Sequence, residues 1–307
     1  MNESDFLALL RPLATHPAAR RLMDDAAVLG DLVFTHDMLV ASVHFLPDDP
    51  PEDVAWKLLA VNLSDLAAKG AVPVGVLLGY PLGDDQWDCA FVAGLGEALK
   101  HFDVPLLGGD TVRGPRVLSL TAIGRSAIAP SRSGAQAGDA LYVTGVIGLA
   151  GLGLDLLKRN PVRVERSRDT TRSKDGPSTS LGTNGDEVRA IHAYRRPTPR
   201  LSEGQALAPV VHAMMDVSDG LLIDAQRIAT ASDLALRIDL DAVPHVGELM
   251  TAMTAGDDYE LLFAAAPDLP LPVAATRIGL FAEGTGLSLH NSIGPVDLPQ
   301  RLGYTHS

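Results

Sequence analysis

The chain of 307 residues has a single cysteine, Cys89, so no disulfide can form within it. That suits a reducing compartment, and a cytoplasmic protein is expected. Positive charge is also scarce. Lys and Arg number 25 against 38 Asp and Glu, giving a formal net charge of −13. A nucleic-acid binder would normally carry a basic face, so no such partner is expected. A phosphorylated substrate is still compatible, because Mg2+ can bridge an acidic pocket to phosphate. Long apolar runs are missing too. The longest apolar region, about residues 58–80, is interrupted by Asn62, Asp65, Lys69 and Pro73, and is too polar to span a membrane. The opening Met1-Asn2-Glu3-Ser4-Asp5 is acidic with no apolar core after it, so it does not read as a secretory signal. The common nucleotide fingerprints are absent: there is no Walker A loop, no GxGxxG, and neither HRD nor DFG. If this chain handles ATP, it uses another apparatus.

What the chain does have is aspartate in a repeated setting. Nine aspartates fall in short motifs flanked by apolar residues: Asp24-Asp25-Ala26-Ala27, Thr35-His36-Asp37, Asn62-Leu63-Ser64-Asp65, Gly108-Gly109-Asp110-Thr111, Asp216-Val217-Ser218-Asp219-Gly220 and Gly256-Asp257-Asp258-Tyr259-Glu260. Carboxylates are rarely buried unless they are paired or hold a metal. Mg2+ favours hard oxygen ligands and is commonly shared between a few carboxylates and substrate phosphates. The pattern therefore points to phosphate chemistry assisted by metal ions.

Length and apolar content suffice for one large domain or two ordinary ones. Short apolar runs alternate with helical stretches, which favours an α/β (α+β) class. Strands are expected near residues 32–35, 72–80, 104–107 and 117–123, and helices near 50–69 and 84–100. After a boundary near Gly138, strands are expected at 140–144, 214–217, 236–238 and 261–265, and helices at 145–157 and 220–231. This gives domains of 1–138 and 139–307. Residues 163–185 are rich in Ser, Thr, Arg and Gly, and a mobile surface loop is expected there.

Each motif also has a plainer reading. Asp110, after paired glycines at a strand end, could meet a ligand or simply bond its own backbone in a turn. In a strand, Asp216 and Ser218 share a face, while Asp219 can cap the helix that follows. Asn62 and Asp65 share a helix face; a cation or a salt bridge to Lys57 or Lys69 would satisfy the carboxylate. The run Gly145, Gly148, Gly151, Gly153 is explained more simply by close helix packing than by phosphate binding. A lone histidine such as His44 is more often structural than functional.

Taken in order, the stretches DMLVASVHFLP, KLLAVNLSDLAAKGA, LLGGDTVRGP, DVSDGLLID and GDDYELLF resemble the thiamine-monophosphate kinase family, which belongs with aminoimidazole-ribonucleotide synthetase and selenophosphate synthetase. The resemblance runs from Asp24 to Tyr304. It implies a two-domain subunit whose N-terminal domain pairs with its twin into a β-barrel. It also implies a homodimer with ATP bound across the interface and several Mg2+ ions. By matching motifs, the metal ligands would be Asp25, Thr35, Asp37, Asp65, Asp110, Asp216 and Asp219. His36 replaces the usual hydroxyl residue beside them and is expected to offer its backbone oxygen. Gly109, Asp110, Arg132 and Ser218 would contact ATP; His44, Asp257 and Tyr304 would contact thiamine monophosphate. The implied reaction moves the γ-phosphoryl of ATP onto the substrate phosphate. That phosphate is largely ionised at neutral pH, so no general base is assigned. The alternative is a binding protein of the same family that does not turn over.

Overall fold

The computed structural model describes residue 1, residues 3–159 and residues 185–305. The expected mobile loop therefore lies outside the described residues, apart from Gly185, which opens a helix.

The N-terminal half builds a five-stranded sheet from β1 (Ala27–Leu29), β2 (Leu32–Val40), β3 (Val72–Leu82), β4 (Leu106–Arg113) and β5 (Val117–Arg125). Their spatial order is β1-β2-β5-β3-β4, and β3 with β4 is its parallel pair. The C-terminal half builds a seven-stranded sheet from β6 (Ala140–Val143), β7 (Ala213–Asp216), β8 (Ala235–Asp239), β9 (Leu261–Ala265), β10 (Thr276–Ala282), β11 (Gly286–Asn291) and β12 (Gly294–Val296). Its order is β12-β11-β8-β10-β6-β9-β7, with β8 and β11 the parallel pair. The result is a mixed α/β fold in which each sheet has its own apolar core. Neither sheet closes into a barrel within the single chain, because β1 and β4 end the first sheet as open edges. The barrel implied by the resemblance would need a second copy.

Among the described residues, eight α-helices accompany the sheets: α1 (Glu3–Leu10), α2 (Pro51–Ala68), α3 (Asp85–His101), α4 (Leu149–Arg159), α5 (Gly185–Arg195), α6 (Leu201–Leu207), α7 (Leu221–Ala231) and α8 (Leu249–Ala255). Helix α2 starts as its sequence asks. Pro51 sits at the first turn, where a missing N–H costs nothing, and Glu52 and Asp53 meet the positive end of the helix dipole. Fourteen of its eighteen residues are buried. An apolar surface on every side makes α2 the axle of the molecule: it packs on the first sheet and also meets α6 and β7 of the second half.

One local expectation changes and another stands. Strand β4 does not stop at Gly108-Gly109 but runs through them to Arg113. Gly109 is needed for a close approach to the neighbouring strand: a Cβ there would lie 1.9 Å from the backbone oxygen of Leu78. The glycines near α4 are close-packing positions, as the simpler reading held. A Cβ at Gly151 would meet Ala255 of α8 at 2.4 Å, and one at Gly153 would meet the Ala190 carbonyl of α5 at 2.1 Å.

Candidate functional site

Helix α2 brings the acidic motifs together. Within residues 54–69, Asp65 is the one side chain that is not fully buried, so it opens onto the cleft between the two halves. Asn62 lies one turn earlier and ties α2 to β2. Its side-chain oxygen accepts from the Asp37 N–H at 3.1 Å, and its backbone oxygen accepts from the Thr35 hydroxyl at 3.1 Å. This places Asp37 in hydrogen-bonding contact with Asp65. Ser64 donates to Asp216, which ends β7 in the second half. Thus Asp25, Asp37, Asp65 and Asp216, spread over 192 positions, feel one another's charge.

The electrostatics follow from that crowding. Burial, and then the neighbouring carboxylate of Asp25, push Asp37 up to about 6. Burial and the same neighbour push Asp216 up to about 8, against a hydrogen bond from Ser64 that favours its ionised form. Asp65 is raised well above the ordinary range by burial, then by Asp37 and Asp216. Asp25 differs. Burial raises it, yet Arg132 and Lys69 together hold it below the usual carboxylate range. Arg132 pairs directly with Asp25. Lys69, fully buried, reaches Asp24 at 2.5 Å and Asp25 at 3.4 Å, and donates to the Met214 carbonyl of β7. Neither Lys57 nor Lys69 takes Asp65 as its ion-pair partner.

Among the described residues, no three acidic, imidazole or thiol side chains form a ready metal cage. Magnesium is commonly held by one or two carboxylates, with substrate phosphates and water completing its octahedron. The donor set is hard oxygen, and a cation would relieve the mutual repulsion of Asp37, Asp65 and Asp216. On both counts the residues fit Mg2+.

Asp219 is not the helix cap it promised to be. Gly220 precedes α7 without a side-chain cap, and Asp224 from inside the helix accepts the N–H groups of Ser218, Asp219 and Gly220 at 3.1, 3.1 and 3.2 Å. Arg227 then bridges Asp219 and Asp224, each at 2.6 Å. Neither Asp224 nor Arg227 stood out in the sequence, because both read as the polar side of an amphipathic helix.

Asp110 stands apart from the other carboxylates. It lies on β4, whose eight residues are all exposed, and it accepts from the N–H of Thr111 at 2.8 Å. Gly109 precedes it on the same open edge. His36 also points away from the cluster. Thr35 and Asp37 face α2, whereas the His36 side chain lies on the opposite, exposed face of β2, 2.8 Å from the Thr121 hydroxyl.

The three residues expected at the acceptor are drawn from three loops. Asp257 takes a left-handed backbone with φ of 62°, and Tyr259 does so at 52°. Asp257 donates its N–H to the Ser218 carbonyl at 2.8 Å, so its loop is tied to the Asp216–Gly220 motif. Tyr304 donates its N–H to the carbonyl of Asp219 at 2.8 Å. A cavity of about 550 Å3 opens here, lined by Val43, Thr254, Ala255, Arg301, Gly303 and Tyr304, beside His44 and Asp257 in sequence.

Comparison with known proteins places the chain as a whole. Residues 23–126 match the family described as AIR synthase related protein, N-terminal domain, and residues 136–287 match its C-terminal domain. Thiamine-monophosphate kinase of Salmonella typhimurium is 39% identical, over 84% of this chain and 80% of its own length. The enzyme of that name from Caulobacter vibrioides is 38% identical, over 99% of this chain and 90% of its own. Among solved structures, AaThiL complexed with AMPPCP and TMP superposes with a TM-score of 0.83 at 25% identity, covering 100% of this chain and 97% of that one. Thiamine-monophosphate kinase from Stenotrophomonas maltophilia K279a gives 0.72 at 34% identity, covering 93% and 94%. With such agreement along nearly its whole length, this chain belongs to the thiamine-monophosphate kinase family.

Proposed function

We propose that this chain phosphorylates thiamine monophosphate with ATP, giving thiamine diphosphate and ADP. The observation that carries the reading is the convergence of Asp25, Asp37, Asp65 and Asp216 from both halves of the chain. Donor and acceptor are both anionic, so their mutual repulsion is the main barrier. Mg2+ held by Asp25, Asp37, Asp65, Asp216 and Asp219, with the Thr35 and His36 positions supplying oxygen, would neutralise that charge and favour in-line transfer.

The chain's own residues do the rest. Arg132, poised beside Asp25, supplies a planar cation suited to phosphate oxygens. Ser218 presents its hydroxyl in a loop held rigid by Asp224. Asp257, His44 and Tyr304 orient the acceptor so that its phosphate faces the cleft. The acceptor phosphate is already largely ionised, so no side chain has to remove a proton.

Asp110 and Gly109 reach the donor site only if β4 is covered. Leu106, Leu107 and Val112 on β4, and Leu77 on β3, are all exposed. An open edge of this kind is normally protected or paired. We assign its cover to a second copy, in a cytoplasmic homodimer whose N-terminal domains, residues 1–138, pair into a barrel at the interface, each followed by its C-terminal domain, 139–307. A coupled ADP-release assay with thiamine monophosphate and ATP tests the activity. Production of thiamine diphosphate is expected, and binding of both ligands without turnover would leave a binding protein instead.

A further inference from the structure

Lysine is among the residues least often buried without a partner. Lys57 of α2 is 2% exposed. Its Nζ lies 2.7 Å from Asp257 Oδ2, donates to the backbone oxygen of His44 at 3.2 Å, and sits 4.1 Å from the centre of the Tyr194 ring. Asp257 is 200 positions away in sequence, and it is on the other half of the molecule. The carboxylate is clamped from its second side by the Tyr259 hydroxyl, at 2.9 Å from Oδ1. Tyr194 is itself held by Asp49, which pairs with Arg195 at 2.8 Å.

The backbone shows why a clamp is needed. Asp257 and Tyr259 are both non-glycine residues in the left-handed region. Such conformations are strained and persist where the surroundings over-determine them. Here a single buried ammonium joins the strained loop of Asp257 to the loop of His44. The segments that it joins are the two that carry acceptor contacts in the proposed function.

We propose that Lys57 is a positioning residue of the acceptor site, setting the Asp257 carboxylate and the His44 loop in the arrangement that receives thiamine monophosphate. The inference rests on the proposed assignment of Asp257 and His44 to that substrate. Lys57 acts through Asp257 and does not reach the reacting atoms. Its effect therefore belongs to acceptor binding, with phosphoryl transfer and ATP binding spared.

The test is a double-mutant cycle on the full chain with Lys57→Met, Asp257→Asn and the pair. Lys57→Met is expected to raise KM for thiamine monophosphate by on the order of tenfold, the size of one lost charge-assisted hydrogen bond. The kcat and the KM for ATP should stay within about threefold. Because the two residues act as a unit, the pair should bind the acceptor no worse than the weaker single variant. Direct titration with thiamine monophosphate should show the same loss in Kd. Lys57→Arg, which keeps the charge, covers the case in which Lys57→Met does not fold; there KM should move less than for Asp257→Asn, and adding Asp257→Asn should bring the pair to the Asp257→Asn value. An unchanged acceptor KM in Lys57→Met, or losses that multiply in either pair, overturns the proposal. A wild-type chain that makes no thiamine diphosphate is a different result: it removes the functional reading itself.

Discussion

Helix α2 and strand β4 carry equivalent cargo in opposite surroundings. Each presents one aspartate expected to serve the phosphates, Asp65 on the helix and Asp110 on the strand. Fourteen of eighteen residues of α2 are buried, whereas all eight of β4 are exposed. Around Asp65 the single chain supplies a complete setting: Asn62, Ser64 and Lys69 all bond to other elements. Around Asp110 it supplies the neighbouring N–H of Thr111. Under the proposed function, one half of the site is finished by intramolecular folding, and the other half, on the exposed edge strand, would be completed by a second copy. The difference separates residues that can be tested in any folded monomer from residues whose role depends on assembly.

The largest effect is expected on the finished side. Asp65→Asn and Asp216→Asn should each cut turnover by roughly a hundredfold to a thousandfold, the usual loss when a preorganised electrostatic group is removed. Stability should move the other way. These carboxylates are crowded enough that ionising them is unfavourable, so the metal-free variants should melt no lower than wild type at pH about 8. Steady-state kinetics beside thermal melts checks both. Near-normal turnover in either variant would take that residue out of the phosphate-facing cluster.

On the unfinished side, the expected target is assembly. Val112→Glu places a charge in the exposed apolar edge of β4, where it should cost the fold little but break contact with a second copy. Sedimentation is expected to show a monomer, with turnover reduced about tenfold or more because Asp110 no longer meets the shared site. A variant that stays dimeric, or a monomer with full activity, would detach β4 from the donor site.

The two sides were not equally legible in the sequence. Elements with continuous apolar runs came out nearly whole: the expected helix at 220–231 is α7, Leu221–Ala231, and the expected strand at 261–265 is β9. Strand β4 was cut short because paired glycines read as a strand end, when one of them serves close contact with β3. The acidic residues of the cleft were visible because aspartate in apolar surroundings is unusual. The lysines near them were visible but their partners were not: Lys57 and Lys69 read as possible partners of Asp65, whereas Lys57 pairs with Asp257 and Lys69 with Asp24 and Asp25, carboxylates supplied by distant loops. Asp224 was missed for a related reason: its three N–H partners lie behind it in sequence, in a motif where Asp219 looked like the natural cap.

A third measurement compares the ionisation of the cluster with its metal affinity. Asp37 is raised to about 6 and Asp216 to about 8, against about 3.9 for an unfolded aspartate. Between those values the folded chain holds more protons than the unfolded one. These two groups therefore make metal-free stability fall as pH rises from about 4 to about 8, and contribute no further slope above that. Mg2+ requires the ionised carboxylates, so it displaces those protons. The rise in Tm on adding millimolar Mg2+ should therefore be small near pH 6 and larger near pH 8.5, by up to about 2–3 kcal/mol of stabilisation at saturating metal. A Mg2+ effect that is flat with pH would mean that Asp37 and Asp216 are not its ligands.

The smallest effect is expected at His36, which shares a strand with two residues of the finished side but faces the other way. Thr35 and Asp37 turn toward α2, and strand alternation sends the imidazole to the exposed face, 2.8 Å from Thr121. Only its backbone oxygen remains on the strand beside Asp37, and a side-chain change leaves that oxygen in place. His36→Thr should then alter kcat by less than about twofold at neutral pH, and the Mg2+ dependence of the rate should not move. The alternative has its own signature. An imidazole near the ions would affect Mg2+ binding, so replacing it would separate the threonine variant from wild type. Paired pH–rate profiles at fixed Mg2+ separate the two, and parallel profiles are the expected result. The carboxylates themselves take up protons in the same range, so a fall in rate shared by both proteins belongs to Asp37 and Asp216, and only a difference between the curves would bring the His36 side chain into the site.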